Sequence, residues 1–196
     1  MVDVVFSLAS GTLGDDHACA LSRAVRRALP WFDDEPEAGI LPMSGLARGN
    51  GVCFVGRRSR LVLRLPIRRS TSADFLSGAR LDLDGNVLEV GASRIRPLLP
   101  ARVVHSQFVT VGADDELVFL ARCESLLAER GLKPHLISGK ARTLCSADGL
   151  VRGFSLMLHG LAAPETLAVQ EVGLGGHRAL GCGIFIPHKS VAAVGD

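Results

Sequence analysis

Read for hydrophobic period, the 196 residues pass through the same order of elements twice. That doubling constrains the fold more than any single motif. Residues 2–9 form a short apolar run of strand length. Asp15 and Asp16 then offer helix caps. Over residues 17–29 Leu21, Ala24, Val25 and Ala28 share one helical face, while Arg23, Arg26 and Arg27 lie mostly opposite. Pro30 stops the helix. Residues 40–43 make a second, short strand. Residues 59–67 alternate: Leu61, Leu63, Leu65 and Ile67 point one way and Arg60, Arg64 and Arg68 the other, a half-buried strand with an arginine face. A short helix is expected over residues 72–77. Residues 81–90 make a strand pair or one bent strand about the turn Asp84-Gly85-Asn86.

After the proline-flanked linker Pro97-Leu98-Leu99-Pro100 the order returns. A strand is expected over 103–111. A helix starts at Asp114-Asp115-Glu116 and runs to about Arg130, with Gly131 and Pro134 as its stop. Strands follow over 135–145 and 153–161. Pro164-Glu165 opens a short helix to Val172, and a last strand spans 184–188. Each half reads β-α-β-β-α-β, the order of the ferredoxin-like split βαβ unit. The expected fold is α+β, two tandem ferredoxin-like domains resembling RNA-recognition domains, over residues 1–96 and 101–196.

Between the fourth helix and the last strand lies Gly173-Leu174-Gly175-Gly176-His177-Arg178-Ala179-Leu180-Gly181-Cys182-Gly183. Five of these eleven residues are glycine. Glycine lets backbone approach a ligand closely, and successive outward amides cradle anions. The nucleotide motifs do not fit. A dinucleotide fingerprint would need glycine where Arg178 stands, and no G-K-[ST] occurs. The loop also follows a helix and leads into a strand, the reverse of both motifs. The alternatives are a loop that contacts a phosphate chain and a flexible hairpin before the last strand.

Charge has the same dual reading. The net charge is only +2, yet Arg57, Arg58, Arg60, Arg64, Arg68 and Arg69 fall within thirteen residues that hold no acid. That is a patch for a polyanion or a solvated strand face. With no tyrosine and one tryptophan, base stacking is poorly supplied. Arginine and backbone amides favour a structured RNA over splayed single strands. Five scattered cysteines without a C-x-x-C pair argue against a disulfide framework or a zinc site. They read as reduced core residues, with Cys19, Cys53 and Cys182 in the more apolar settings. No run approaches a membrane helix, and the start lacks a signal peptide's basic region, so the expected location is cytoplasmic. Asp33-Asp34-Glu35 reads as a solvated loop.

Six histidines are present, no two with metal-ligand spacing on one element. His105, His135 and His159 read as core or strand-edge residues. His177 sits in the glycine loop, and His188 with Lys189 ends the last strand beside it. By spacing alone His17 is a capping or boundary residue in the first helical turn. The helix dipole there disfavours imidazolium, while Asp15 and Asp16 pull the other way.

Taken together, Thr12-Leu13-Gly14-Asp15-Asp16-His17, Ala28-Leu29-Pro30-Trp31, Ser59-Arg60-Leu61 with Leu63-Arg64-Leu65-Pro66, Ile95-Arg96-Pro97-Leu98, and residues 170–189 around the glycine loop resemble a known group. They are similar to the CRISPR-associated repeat-RNA endoribonucleases of the repeat-associated mysterious protein superfamily, in particular the myxobacterial-type subfamily. The resemblance implies metal-independent cleavage of precursor CRISPR RNA within each repeat hairpin. Attack by a 2′-hydroxyl leaves a 2′,3′-cyclic phosphate and a 5′-hydroxyl. It implies no cofactor, and it turns His17 into the general base or acid. Many relatives pair that histidine with a tyrosine; here a serine, lysine or arginine must substitute, or His17 acts with RNA geometry alone. Gly173, Gly175, Gly176, Gly181 and Gly183 become RNA-binding positions, with His177, Arg178, His188 and Lys189 beside them. Arg23, Arg27, Arg60 and Arg64 become candidates to grip the stem. The implied partners are the repeat hairpin, the mature guide RNA and subunits of a CRISPR effector complex. Two other readings remain: a non-catalytic repeat-binding subunit, and a ferredoxin-like sensing or assembly module with no RNA role.

Overall fold

A computed structural model describes residues 1–14, 16–49, 52–147 and 149–189. The chain divides into two compact units, Met1–Pro97 and Leu98–Asp196.

The first unit is built on β1 (Val2–Gly14). Val4, Val5 and Phe6 are all buried, so both faces of this strand are covered, as befits a central strand. Helix α1 (Ala18–Ala28) follows and buries Leu21, Ala24 and Val25. Next come β2 (Gly39–Ile40), β3 (Ala47–Gly49), β4 (Val52–Phe54), β5 (Arg60–Leu65), the one-turn α2 (Ser70–Ala73), β6 (Arg80–Leu83) and β7 (Asn86–Pro97). β1 lies between β5 (Val4 opposite Leu63) and β7 (Val4 opposite Ile95), both antiparallel. β2 flanks β5, and β6 makes a hairpin with β7. The main sheet is therefore β2-β5-β1-β7, the ferredoxin-like order.

Three local expectations change. β1 runs to Gly14 instead of stopping near Ala9. Register shifts between Phe6 and Gly11 re-aim its end, which pairs with β4, and β4 with β3, in a small second sheet. The first helix has His17 at its N-cap with no side-chain cap bond; Asp15 lies outside the described residues. Ile67 does not continue the apolar face of β5. Pro66 ends the strand, a 3-10 turn follows over Ile67–Arg69, and Ile67 is exposed.

The second unit contains β8 (Val103–Val109), α3 (Glu116–Ala128), β9 (His135–Ser146), β10 (Gly149–His159), α4 (Ala163–Val172) and β11 (Ile186–Pro187). Its sheet runs β11-β8-β10-β9 with every pairing antiparallel. Val104, Leu156 and Leu158 from the sheet pack with Phe119, Cys123 and Leu127 of α3 and Val169 of α4. Asp115 caps α3 by accepting from the Val118 amide at 3.0 Å. The last strand is two residues long instead of five. All five cysteines are thiols outside any disulfide. Cys53, Cys123 and Cys182 are buried, Cys19 is half-buried and Cys145 is exposed.

Candidate active site and nucleic-acid interface

In the first unit the loop that turns β1 into α1 sets His17. The His17 ring Nδ1 lies 2.9 Å from the Gly14 carbonyl oxygen. A carbonyl only accepts, so Nδ1 is the protonated nitrogen of this contact. In the neutral ring Nε2 then carries the lone pair. The ring is half-exposed, so that nitrogen is set to take a proton. A side chain held by the backbone at one nitrogen and open at the other is the arrangement a general base needs.

On the same helix Arg23 reaches the β6–β7 hairpin. Its Nη2 donates to Asp84 Oδ2 at 2.5 Å and Nη1 to Cys19 Sγ at 3.4 Å. The Asp84 carboxylate holds this guanidinium above its ordinary range. Arg27 donates to the Asp82 carbonyl at 2.8 Å. Both arginines stay exposed, so their guanidiniums face solvent while anchored.

The six-arginine stretch does not form one surface. Arg64, expected to grip RNA, is buried at 1%. Its Nε and Nη2 donate to the two Asp3 carboxylate oxygens at 2.8 and 3.2 Å. β1 and β5 place Asp3 directly opposite Arg64, so Arg64 is a core ion-pair member and is withdrawn from the interface. Arg68 and Arg69 both bind Glu35, at 2.5 and 2.6 Å, and Arg69 stacks over Trp31. Glu35 is therefore buried instead of solvated. Arg60 turns back to the Arg57 and Ser59 carbonyls at 2.7 and 2.6 Å and is half-buried. Arg57 and Arg58 remain exposed.

In the second unit the glycine loop is first of all a packing device. Gly173 ends α4 with φ +74°, and Gly183 has φ +66°. A Cβ on Gly183 would stand 2.1 Å from the Leu174 carbonyl, and one on Gly175 2.1 Å from that of Thr110. The two arms of the loop close on each other through Leu174 N–H to Gly183 O, and the Gly183 N–H reaches the Phe108 carbonyl on β8. Arg178, expected to contact phosphate, is buried at 8%. Its guanidinium donates to the Val172 and Glu171 carbonyls at 2.8 and 3.2 Å, closing the carboxyl end of α4. Arg178 therefore leaves the set of phosphate contacts.

What the loop presents outward is its tip. Gly175, Gly176 and His177 are exposed, while Gly173, Gly181 and Gly183 are buried in its base. His177 adopts a left-handed backbone (φ +59°), which costs a non-glycine residue about 1 kcal/mol. Its carbonyl accepts from Leu180 and Cys182, and its side chain lines an open groove with Thr110, Asp114 and Arg152. His188 lies beyond β11 with its ring 5.6 Å from that of His105, and Lys189 is exposed.

Sequence reasoning passed over the β9–β10 arm. β8 follows β10 only as far as Phe154, opposite Val109, whereas β9 and β10 stay paired to Gly149. The β9–β10 hairpin carries Lys140 and Arg142, both exposed, with Arg142 on the part that protrudes. The signal lay in composition: between His135 and His159 the sole acid is Asp148, a position outside the described residues. Among the described residues no group of three or more His, Cys, Asp or Glu is placed to hold a metal ion. No helix among them is long and apolar enough to cross a membrane.

The sequence pattern of the Cas6 family, described as Cas6 Crispr, matches residues 2–190. The chain is 34% identical over 194 residues to the CRISPR-associated endonuclease Cas6 of Myxococcus xanthus strain DK1622, covering 98% of this chain and 84% of that one. Its fold is similar to that of a Cas6-related protein from Pyrococcus furiosus (TM-score 0.69, 13% identity, 96% of this chain and 99% of the other). It is also similar to Thermus thermophilus Cse3 bound to an RNA representing a pre-cleavage complex (TM-score 0.54, 15% identity, 94% and 97%). At these identities the two solved structures speak for the fold.

Proposed function

This chain belongs to the Cas6 family, and we propose that it is an endoribonuclease that binds CRISPR repeat hairpins and cuts precursor CRISPR RNA into guides without a metal ion. The observation that carries the reading is the His17 ring, held through Nδ1 by the Gly14 carbonyl with Nε2 left to act. Nε2 takes the proton of the 2′-hydroxyl beside the scissile phosphate. The 2′ oxygen bonds to phosphorus as the bond to the 5′ oxygen breaks. The products are a 2′,3′-cyclic phosphate and, once the leaving oxygen takes up a proton, a 5′-hydroxyl. The same imidazolium, or water, supplies that second proton, since no tyrosine exists to share the work.

Binding falls to cations that the fold leaves outward. Arg23 and Arg27 on α1, with Arg60 at the start of β5, serve the first unit. In the second unit the exposed glycine tip, His177, His188, Lys189 and the hairpin residues Lys140 and Arg142 meet the phosphates. Gly173, Gly181 and Gly183 act indirectly, by shaping the loop. The first unit, residues 1–96, carries the chemistry and the second, 101–196, the loop. The cut guide is retained or handed to an effector complex.

The test is incubation with the repeat RNA of the host array in excess chelator. Cleavage is expected to persist in the wild type and vanish in His17→Ala, with RNA affinity kept. A requirement for Mg²⁺, or cleavage without His17, sinks the mechanism. Binding without cleavage by the wild type makes the chain a repeat-binding subunit, and absence of binding removes the RNA role.

A further inference from the structure

Four of the six histidines meet on one surface of the second unit. His105 on β8 pairs across the sheet with Met157 on β10 and with Ile186 on β11. His159 on β10 lies opposite His135 on β9 and Val103 on β8. Directly opposed residues share a face, and so do residues two apart on one strand. Since Met157 and His159 are two apart, His105, His135 and His159 occupy the same face. It is the face opposite Val104, Leu156 and Leu158, which pack under α3 and α4. His188, two residues beyond Ile186, joins them, its ring 5.6 Å from that of His105. The His135 and His159 rings stack at 4.9 Å. His135 is exposed and the other three are half-buried.

On the strands that carry them the charge has one sign. None of the four strands contains an aspartate or glutamate. The charged residues they carry are Lys140, Arg142 and Arg152. Arg152 points to the helix side, where it pairs with Asp114 at 3.1 Å. Arg142, opposite Gly153, lies on the histidine face. Lys189 follows His188 in the chain. With Arg142 in place and no acid among these strands, protonating an imidazole here adds to a positive field. An anion held at the edges of two adjacent rings favours the charged form of both. A ligand phosphate is the chemistry that satisfies both rings.

We infer that this four-histidine face is a proton-tuned phosphate-binding surface, through which RNA affinity rises as pH falls. The inference rests on the RNA-binding reading above and adds to it a pH-dependent partner surface. His105 shows the direction: burial, then the charges of His188 and Arg142, hold its pKa below the ordinary value. Bound phosphate reverses that balance, so binding takes up protons. By linkage, affinity falls as pH rises through the histidine range.

The test measures affinity of the full chain, in a His17→Ala background that prevents cutting, for fluorescent repeat RNA at about pH 6 and about pH 8. The wild-type surface should tighten binding at the lower pH by about tenfold or more, with a log-log salt dependence steeper by about 2. Replacing His105, His135, His159 and His188 by glutamine should remove both effects. Should the fourfold variant not fold, His135→Gln with His159→Gln, at the more exposed pair, should remove about half of the steepening. Affinity that does not change with pH, or a change that survives the substitutions, overturns the inference. Polyphosphate serves as a second probe. If it binds with the expected pH response while RNA does not bind, the surface stands and the RNA reading falls. If neither responds, the surface falls too.

Discussion

Replacing Asp3 by asparagine should unfold the protein more readily than any surface substitution near it. The side chains of Asp3 and Arg64 are 3% and 1% exposed, and the guanidinium spans both carboxylate oxygens. Arg96, at 49% exposure, adds a third contact to Oδ2 at 2.9 Å. Asparagine keeps the shape and removes the charge that faces the buried Arg64 guanidinium. Breaking such a pair from one side costs about 3–5 kcal/mol. At about 2–4 °C per kcal/mol for a chain of this size, the midpoint should fall by roughly 6–20 °C. Thermal and urea unfolding followed by circular dichroism give the number. Two companions make the reasoning strict. Asp3→Leu combined with Arg64→Met removes both charges and should recover to within about 1–2 kcal/mol of the wild type, because the desolvation cost disappears with the pair. Arg96→Met, at a half-exposed partner, should cost at most about 1 kcal/mol. The double variant should also bind repeat RNA as the wild type does. A double variant as unstable as Asp3→Asn refutes the buried-charge argument, and RNA affinity lost from a folded double variant returns Arg64 to the interface.

Gly183→Ala should destabilise by about 2–4 kcal/mol, from positive φ and a Cβ overlap that backbone cannot relieve. Gly176→Ala, with nothing within 4 Å of the new methyl, should change stability by at most about 0.5 kcal/mol while weakening RNA binding if the tip carries phosphate. Arg178→Met should cost about 1–3 kcal/mol by removing a donor to the Val172 and Glu171 carbonyls; an unchanged urea midpoint refutes the capping role. Because His105 is held below its ordinary pKa, the unfolded chain binds the proton more tightly. Its contribution to stability is complete above the ordinary value and is lost as pH falls below it, so His105→Gln should flatten the acid side of the stability profile. In the native protein a thiol reagent near neutral pH should label Cys145 first. Burial pushes Cys123 and Cys182 up to about 12, and they should react only on unfolding.

The doubled element order was legible because it rests on period. Leu61, Leu63 and Leu65 recur at every second position, and α3 has an aspartate cap and a glycine stop. Local spacing of this kind reports which side of an element meets apolar surroundings, and both sheets follow from it. The added pairing of β3 and β4 was not legible, since it depends on bulges in β1 whose only local trace is Gly11. His17 was singled out by its place and by resemblance. Its Nδ1 contact with Gly14 required the turn itself.

Charge is where the two levels part. The run from Arg57 to Arg69 looks the same at every position along the chain. Asp3, sixty-one residues away from Arg64, and Glu35, over thirty from Arg68 and Arg69, decide which cations reach solvent. Likewise the glycines mark a tight loop, but only the approach of Leu174, Thr110 and Phe108 shows that its base is packed and its tip is open. The four histidines lie on three strands and beyond a fourth, up to 83 residues apart, and antiparallel register alone brings them to one face. Hydrophobic period is a property of neighbours in the chain. Whether a charge is satisfied or offered depends on neighbours in space, and the sheets supply those.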